Sequence, residues 1–312
     1  MLAALAGGVG AARFLCGLVD VVEPETITAI VNTGDDDEFH GLWVSPDLDS
    51  VTYALAGANN LDTGWGLAGE TFHAMDALDR YGVPTWFRLG DRDLATHLYR
   101  TERRRHGASL SDVTTELAAA WDLGVRVVPM SDDRVATRIT VRRPDGSSDE
   151  LALQEWFVRE RAESPVLGVR FAGAEDARPA PGVLEALASA ETILICPSNP
   201  VISIGPVLAV PGVRAALAAR RDRVVAVTPI IGGRPVKGPA DRLMGPLGME
   251  VSCVGVAEAY RDVCGTLVID TADAPDAPRV EALGVRAVVT DTVMLDARIA
   301  AALARQTLAA VA

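Results

Sequence analysis

Positive charge is in short supply in this chain. Lys and Arg number 29 against 42 Asp and Glu, for a net charge of −13 over 312 residues. That balance argues against a broad nucleic-acid footprint. Cysteine is sparse too. Cys16, Cys196, Cys253 and Cys264 lie far apart and form no C-x-x-C pair, so neither a disulfide framework nor a zinc ribbon is expected, and the thiols read as small buried hydrophobes in a reducing cytosol. No uncharged apolar run nears the ~18 residues of a membrane span, and no basic leader segment precedes the first apolar run. A cytoplasmic protein with no membrane partner is expected. Nucleophile signatures are also missing: there is no G-x-S-x-G, no H-E-x-x-H and no catalytic-cysteine pattern.

What is present is a globular balance, 49% hydrophobic and 23% charged, with ample length for a large buried core. Short apolar runs alternate with helical patterns: "LAALA" at the start, then 27–31, 125–129, 192–196, 223–227, 266–270 and 286–290 as strands, with helices near 11–21, 182–190, 211–220, 239–247, 255–263 and 296–310. These β-rich runs show little alternation, as strands covered on both faces do. The fold class predicted is α/β, a doubly wound three-layer parallel sheet. Two stretches interrupt the rhythm. Residues 48–123 read as a mainly helical insertion, and about 136–158 as a β-hairpin around "PDGS"; residues 1–47 and 124–312 then form the core.

The first strand runs into "LAGGVGAARF". Glycines at such a turn let backbone amides meet an anion at a helix N-terminus. Gly8 and Gly10 match two places of the dinucleotide fingerprint G-x-G-x-x-G, but Arg13 fills the third. Where a ribose-binding acid should end the second strand the chain has Asn32, so a nicotinamide oxidoreductase is disfavoured. A Walker loop is absent as well. After Asn32 come Asp35, Asp36 and Asp37, then Asp47 and Asp49 in "SPDLDS". Carboxylates gathered at the carboxyl end of a strand suit a hard cation such as Mg²⁺; the same residues also suit helix N-caps.

Three more segments carry polar chemistry. "LGDRDLATH" (89–97) packs Asp91, Asp93, Thr96 and His97 around the start of a helix near Leu94, where either Asp is a plausible cap. "CPSNPVISIGP" places Ser198 and Asn199 between prolines after a strand, and "TPIIGGRPVKGPA" places Arg234 and Lys237 among glycines after the next one. Such loops offer amides, hydroxyls and cations to phosphate. Together they favour metal-assisted transfer between phosphate- or hydroxyl-bearing ligands over covalent catalysis.

In order along the chain, "GGVGAARF", "VNTGDDDEFHGLWVSPDLDSVTYAL", "GWGLAGETF", "LGDRDLATHLYR", "PMSDDRVATRI", "QEWFVRER", "PSNPVISIGP" and "TPIIGGRPVKGPA" resemble the 2-phospho-L-lactate transferases of coenzyme F-420 biosynthesis. The resemblance implies a Rossmann-like core, a homodimer, and transfer of a phospho-three-carbon acid from a guanosine diphosphate-linked donor to the ribityl hydroxyl of the deazaflavin Fo, releasing GMP with Mg²⁺. It implies that Gly7, Gly8, Gly10, Asn32, Ser198 and Asn199 hold the donor, with Arg234 and Lys237 nearby. Asp35, Asp36, Asp47 and Asp49 are the metal pool, Asp36 and Asp49 the catalytic pair, and Asp91, Asp93, Thr96 and His97 the deazaflavin side. The three-carbon acid differs among family members, and phosphoenolpyruvate is the preferred expectation here. A non-catalytic nucleotide-sugar-binding regulator with a similar glycine start is the alternative.

Overall fold

A computed structural model describes residues 1–311 of the chain. All seven expected strands form, as β1 (Leu2–Ala6), β2 (Ile27–Val31), β3 (Arg126–Pro129), β4 (Thr192–Ile195), β5 (Val224–Val227), β6 (Thr266–Asp270) and β7 (Arg286–Thr290). They build one parallel sheet in the order β7-β6-β5-β4-β1-β2-β3. Alternate residues enter two different apolar cores, Ala3 and Leu5 into one and Ala4 and Ala6 into the other, because successive strand side chains point to opposite faces. Burial on both faces is why these runs carry no polar alternation. Strand order reverses between β1 and β4, and that switch point is where open α/β sheets hold ligands.

Helix α1 (Gly8–Val19) leaves β1 through Gly7 with no connecting loop, starting three residues earlier than the sequence pattern suggests. It packs against α2 (Pro46–Leu55) and against the final helix Ala297–Ala309. Leu48, Val51 and Ala54 of α2 enter the same core as α1. Helices α3 (Asp93–Arg105) and α4 (Leu110–Ala120) follow; α4 opens with the capping box of Ser109 and Asp112 and ends before Gly124. Between α2 and α3 lie a loop closed by an Asn59–Leu67 bridge and a short helix, His73–Asp79. A small aromatic cluster with Phe39 stacked on Phe87 at 3.9 Å anchors this stretch.

The hairpin forms with its turn at Asp145 and Gly146, between Ala136–Arg142 and Ser148–Ala152. It ends earlier than the pattern predicts, since Glu155–Arg159 winds into a helical turn. A third antiparallel strand, Val166–Ala172, pairs with the other edge of Ala136–Arg142. That strand was hidden because its residues are mostly half-exposed and lack a marked alternation.

Candidate functional site

Three loops meet at the switch point, from the carboxyl ends of β1, β2 and β4. Their glycines are packing devices first. A Cβ on Gly10 would lie 2.2 Å from the Pro197 carbonyl oxygen, and one on Gly7 2.7 Å from Asp47 Oδ2 and 2.8 Å from Ser203 Cβ. A Cβ on Gly34 would lie 2.7 Å from Pro206 Cβ. Gly8 adopts φ +71°, which L side chains resist. The first turn of α1 carries no acidic residue and no side-chain cap, so its amides stay available to an anion apart from Gly8 N–H, which bonds Asp47.

Asn32 is the hub of the acidic rim. Its Nδ2 donates to Asp47 Oδ2 at 2.8 Å and to Asp35 Oδ1 at 3.3 Å, while its Oδ1 accepts from Gly34 N–H at 2.8 Å. Gln154 Nε2, from beside the three-stranded sheet, donates to Asp35 Oδ2 at 3.2 Å. Asp36 Oδ2 accepts from Ser45 Oγ (2.7 Å) and Trp43 Nε1 (3.1 Å), and its Oδ1 is buried with no partner. Among the described residues, no cation lies within ion-pair distance of Asp35, Asp36 or Asp47. Burial therefore pushes Asp36 up to about 7 and Asp47 up to about 6. Asp35 rises well above the usual carboxylate range through burial and through the charges of Asp47 and Asp36. Isolated buried charge is costly, and this oxygen-rich cradle fits a hard divalent cation.

A second buried constellation lies beside it on α2 and α3, and it is compensated. The Arg100 guanidinium holds Asp49 through both oxygens and sits 3.3 Å from His97 Nδ1. His97 Nε2 lies 3.1 Å from Asp93 Oδ2, and Tyr53 Oη donates to Asp93 Oδ1 at 2.5 Å beside Thr96 Oγ1 at 2.8 Å. Hydrogen bonding and charge from His97 outweigh burial and hold Asp93 below the usual range. Ligand atoms of Asp49, Asp93 and His97 come within 4.8 Å of one another, so geometry alone would let them hold a metal. Arg100 already meets the charge of Asp49, whereas Asp35, Asp36 and Asp47 have no ion-pair partner among the described residues but do not bring three ligand atoms as close together.

The remaining candidates separate. Asp91 accepts from Thr71 Oγ1, His73 N–H and Ala74 N–H, so it anchors the short helix His73–Asp79. Glu70, not Asp91 or Asp93, caps α3, accepting from Arg92 and Asp93 N–H. Ser198 Oγ and Asn199 Nδ2 are buried without partners, on the loop that touches Gly10. Asn199 Oδ1 meanwhile holds the Val201 and Ile202 amides. Arg234 is exposed on the short strand pair Ile230–Ile231 and Arg234–Pro235, and Lys237 donates to the Thr63 carbonyl. Arg100, Tyr53, Gln154 and Glu70 were missed. Two of them were within reach: Asp93, His97 and Arg100 follow i, i+4, i+7 on one helix face, and Asp49 and Tyr53 follow i, i+4 on another.

A doubly wound sheet that gathers a glycine loop and unpaired carboxylates at its switch point is the build of a phosphate-handling α/β protein. A family model described as 2-phospho-L-lactate transferase CofD matches residues 2–308. A phosphoenolpyruvate transferase of Streptomyces griseus subsp. griseus is 47% identical over 306 residues, covering 97% of this chain and 96% of the relative. One from Mycolicibacterium smegmatis is 40% identical over 312 residues, covering 96% and 95%. A crystal structure of a UPF0052-family protein from Bacillus halodurans aligns with a TM-score of 0.61 at 17% identity, covering 97% of this chain and 98% of that one; that likeness shows the fold alone. The chain belongs to the CofD family of 2-phospho-L-lactate transferases. It is a transferase enzyme of coenzyme F-420 biosynthesis, which retires the reading as a non-catalytic regulator.

Proposed function

We propose that the protein transfers a phosphoenolpyruvyl group from a guanosine diphosphate-linked donor to the terminal ribityl hydroxyl of the deazaflavin Fo, releasing GMP. The carrying observation is that Asp47 packs against Gly7 of the glycine loop and shares Asn32 with Asp35, in a group of carboxylates with no ion-pair partner among the described residues. The name of the similar Streptomyces proteins, phosphoenolpyruvate transferase, supports the choice of acid. In this reading the substrate hydroxyl oxygen forms a bond to the acid-bearing phosphorus, the anhydride bond to GMP breaks, and the hydroxyl proton leaves to a base. Such a displacement needs alignment and charge neutralisation more than a strong nucleophile.

Asp35, Asp36 and Asp47 would hold Mg²⁺, which when bound neutralises charge on the phosphoryl oxygens. Asn32 holds Asp35 and Asp47 together, and Ser45 and Trp43 hold Asp36 Oδ2 and leave its Oδ1 free. The α1 amides, Ser198 and Asn199 bind the diphosphate end. Asp93 and Thr96, tied together by Tyr53, and His97 would line the acceptor side. The working unit is taken as a cytosolic homodimer acting on small molecules, with no nucleic-acid or membrane partner. No helix among the described residues is long and apolar enough to cross a membrane.

Incubating the protein with Fo, Mg²⁺ and each guanosine diphosphate-linked acid in turn, then weighing the products, tests the reading. The dehydro product formed from the phosphoenolpyruvyl donor is expected; no adduct with any donor would overturn the proposal.

A further inference from the structure

The carboxyl end of β6 carries chemistry that the reaction scheme does not use. There the strand passes directly into a short 3-10 helix, Thr271–Asp276. Asp270 at the junction is answered on both oxygens: Ala272 N–H donates to Oδ1, and Thr292 gives its N–H and its hydroxyl to Oδ2, each at 2.9 Å. Asp273 is answered on one. Its Oδ1 accepts from Gly232 N–H at 2.9 Å, while its Oδ2 is buried with no partner. The residue is 6% exposed, and a carboxylate oxygen shut away from water without a donor is costly.

Two more ligand-bearing side chains converge on it. Cys253, fully buried, opens the helix Cys253–Tyr260 directly after its cap, Ser252, whose Oγ accepts from Gly255 N–H at 3.2 Å. Asp276 closes the 3-10 helix. Cys253 Sγ and one carboxylate oxygen each of Asp273 and Asp276 lie within 4.8 Å of one another. Tetrahedral zinc, with bonds of about 2.3 Å to sulfur and 2.1 Å to oxygen, sets such ligands roughly 3.5 Å apart, so small side-chain shifts close the set. Arg279 bonds Asp276 Oδ1 at 3.0 Å but divides its charge with Glu250, and among the described residues Asp273 has no ion-pair partner. Burial and the charges of Asp273 and Asp276 push the Cys253 thiol up to about 12, a strain that a cation between the three reverses. The Asp276 side chain is 31% exposed, which gives an ion its way in.

We propose that Cys253, Asp273 and Asp276 form a structural site for one divalent cation of the zinc type, with water in the fourth position. A thiolate beside two carboxylates suits such a borderline ion, whereas the all-oxygen rim of Asp35, Asp36 and Asp47 suits a hard one. The Cys253 thiol proton leaves to solvent as the sulfur–metal bond forms. The bound ion ties the helix Cys253–Tyr260 to the 3-10 helix. Through Asp273 Oδ1 it also steadies Gly232, where the 232–238 segment bearing Arg234 and Lys237 begins. Cysteine spacing hides the site, because its other two ligands are aspartates 20 and 23 residues further along the chain.

The test is titration of the chelator-treated full chain with Co²⁺, whose near-ultraviolet thiolate charge-transfer band reports a cobalt–sulfur bond, followed by competition with Zn²⁺ and with Mg²⁺. One equivalent of Co²⁺ is expected to raise the band, Zn²⁺ to abolish it and excess Mg²⁺ to leave it. Cys253→Ser is expected to lose the band and Cys16→Ser to keep it. Asp273→Asn and Asp276→Asn should each weaken Co²⁺ by about 10-fold or more, the least that disturbing a metal's ligand shell costs. Zn²⁺ should raise the melting temperature of wild type and not that of Cys253→Ser. Asp276 is partly exposed, so Asp276→Asn carries the test where a buried substitution prevents folding. Absence of the band in wild type would overturn the site, and so would a band that survives Cys253→Ser or an unchanged Co²⁺ affinity in Asp276→Asn.

Discussion

Two groups of buried carboxylates stand side by side in this enzyme, and they differ in who answers their charge. Asp49 and Asp93 on α2 and α3 are matched inside the protein by Arg100, His97 and Tyr53. Asp35, Asp36 and Asp47 at the end of β2 and the start of α2 take their hydrogen bonds from neutral donors, Asn32, Gln154, Ser45, Trp43 and the Gly8 amide, and only Asp36 feels the charge of Arg100, from beyond ion-pair distance. The first group behaves as structure, since its energy is realised on folding. The second keeps a charge deficit that a cation would relieve in the proposed reading.

Breaking the compensated group is expected to do the most damage to the fold. Arg100→Met strands the buried Asp49 charge and should cost about 3–5 kcal/mol of stability, the usual penalty for one missing partner, seen as a large fall in melting temperature. The uncompensated group should answer in the opposite way. Asp47→Asn or Asp36→Asn should cut turnover by at least about 100-fold, roughly the weight of one lost electrostatic contact to the transition state. Metal-free melting temperature should hold or rise, because a buried charge has gone. A drop comparable to Arg100→Met would erase the contrast.

The same contrast predicts a pH dependence. Asp36 and Asp47 titrate near 7 and 6 in the folded chain, above the ~3.9 of an unfolded aspartate, so the folded state binds more protons than the unfolded one. Their stabilising effect is complete below about pH 4 and is lost as pH rises through 6 and 7. In EDTA the melting temperature should fall across that window. Saturating Mg²⁺ should flatten the fall, and an unchanged slope would remove the cation from the rim. The smallest effect is expected from Glu70→Ala, which removes the cap of α3 for about 1 kcal/mol. Its Michaelis constant for Fo should move more than that for the donor, since α3 carries the residues proposed for the acceptor side.

The sheet was legible because its strands are short apolar runs without polar alternation, and all seven lay where the pattern put them. The acid rim was legible as a pool but not as a partition. The string Asp35, Asp36, Asp47, Asp49 looks uniform, and only the packing of α3 against α2 shows that Asp49 has a private counter-ion in Arg100, 51 residues away. Asp91 misled for a related reason. It lies two residues before a helix, yet its carboxylate caps a different one, 17 and 18 residues back. Local spacing identifies what a side chain can do; long-range packing decides for whom it does it.

The contacts of Gly7, Gly10 and Gly34 reach further than the binding of any one ligand. Each fills a gap too narrow for a methyl group between loops that leave different strands, so the three loops act like the stones of an arch, none removable alone. Substitution then has little room at the centre. The three-stranded sheet, the 59–67 loop and the 232–238 turn lie at the margins, where a change in one segment leaves the arch standing.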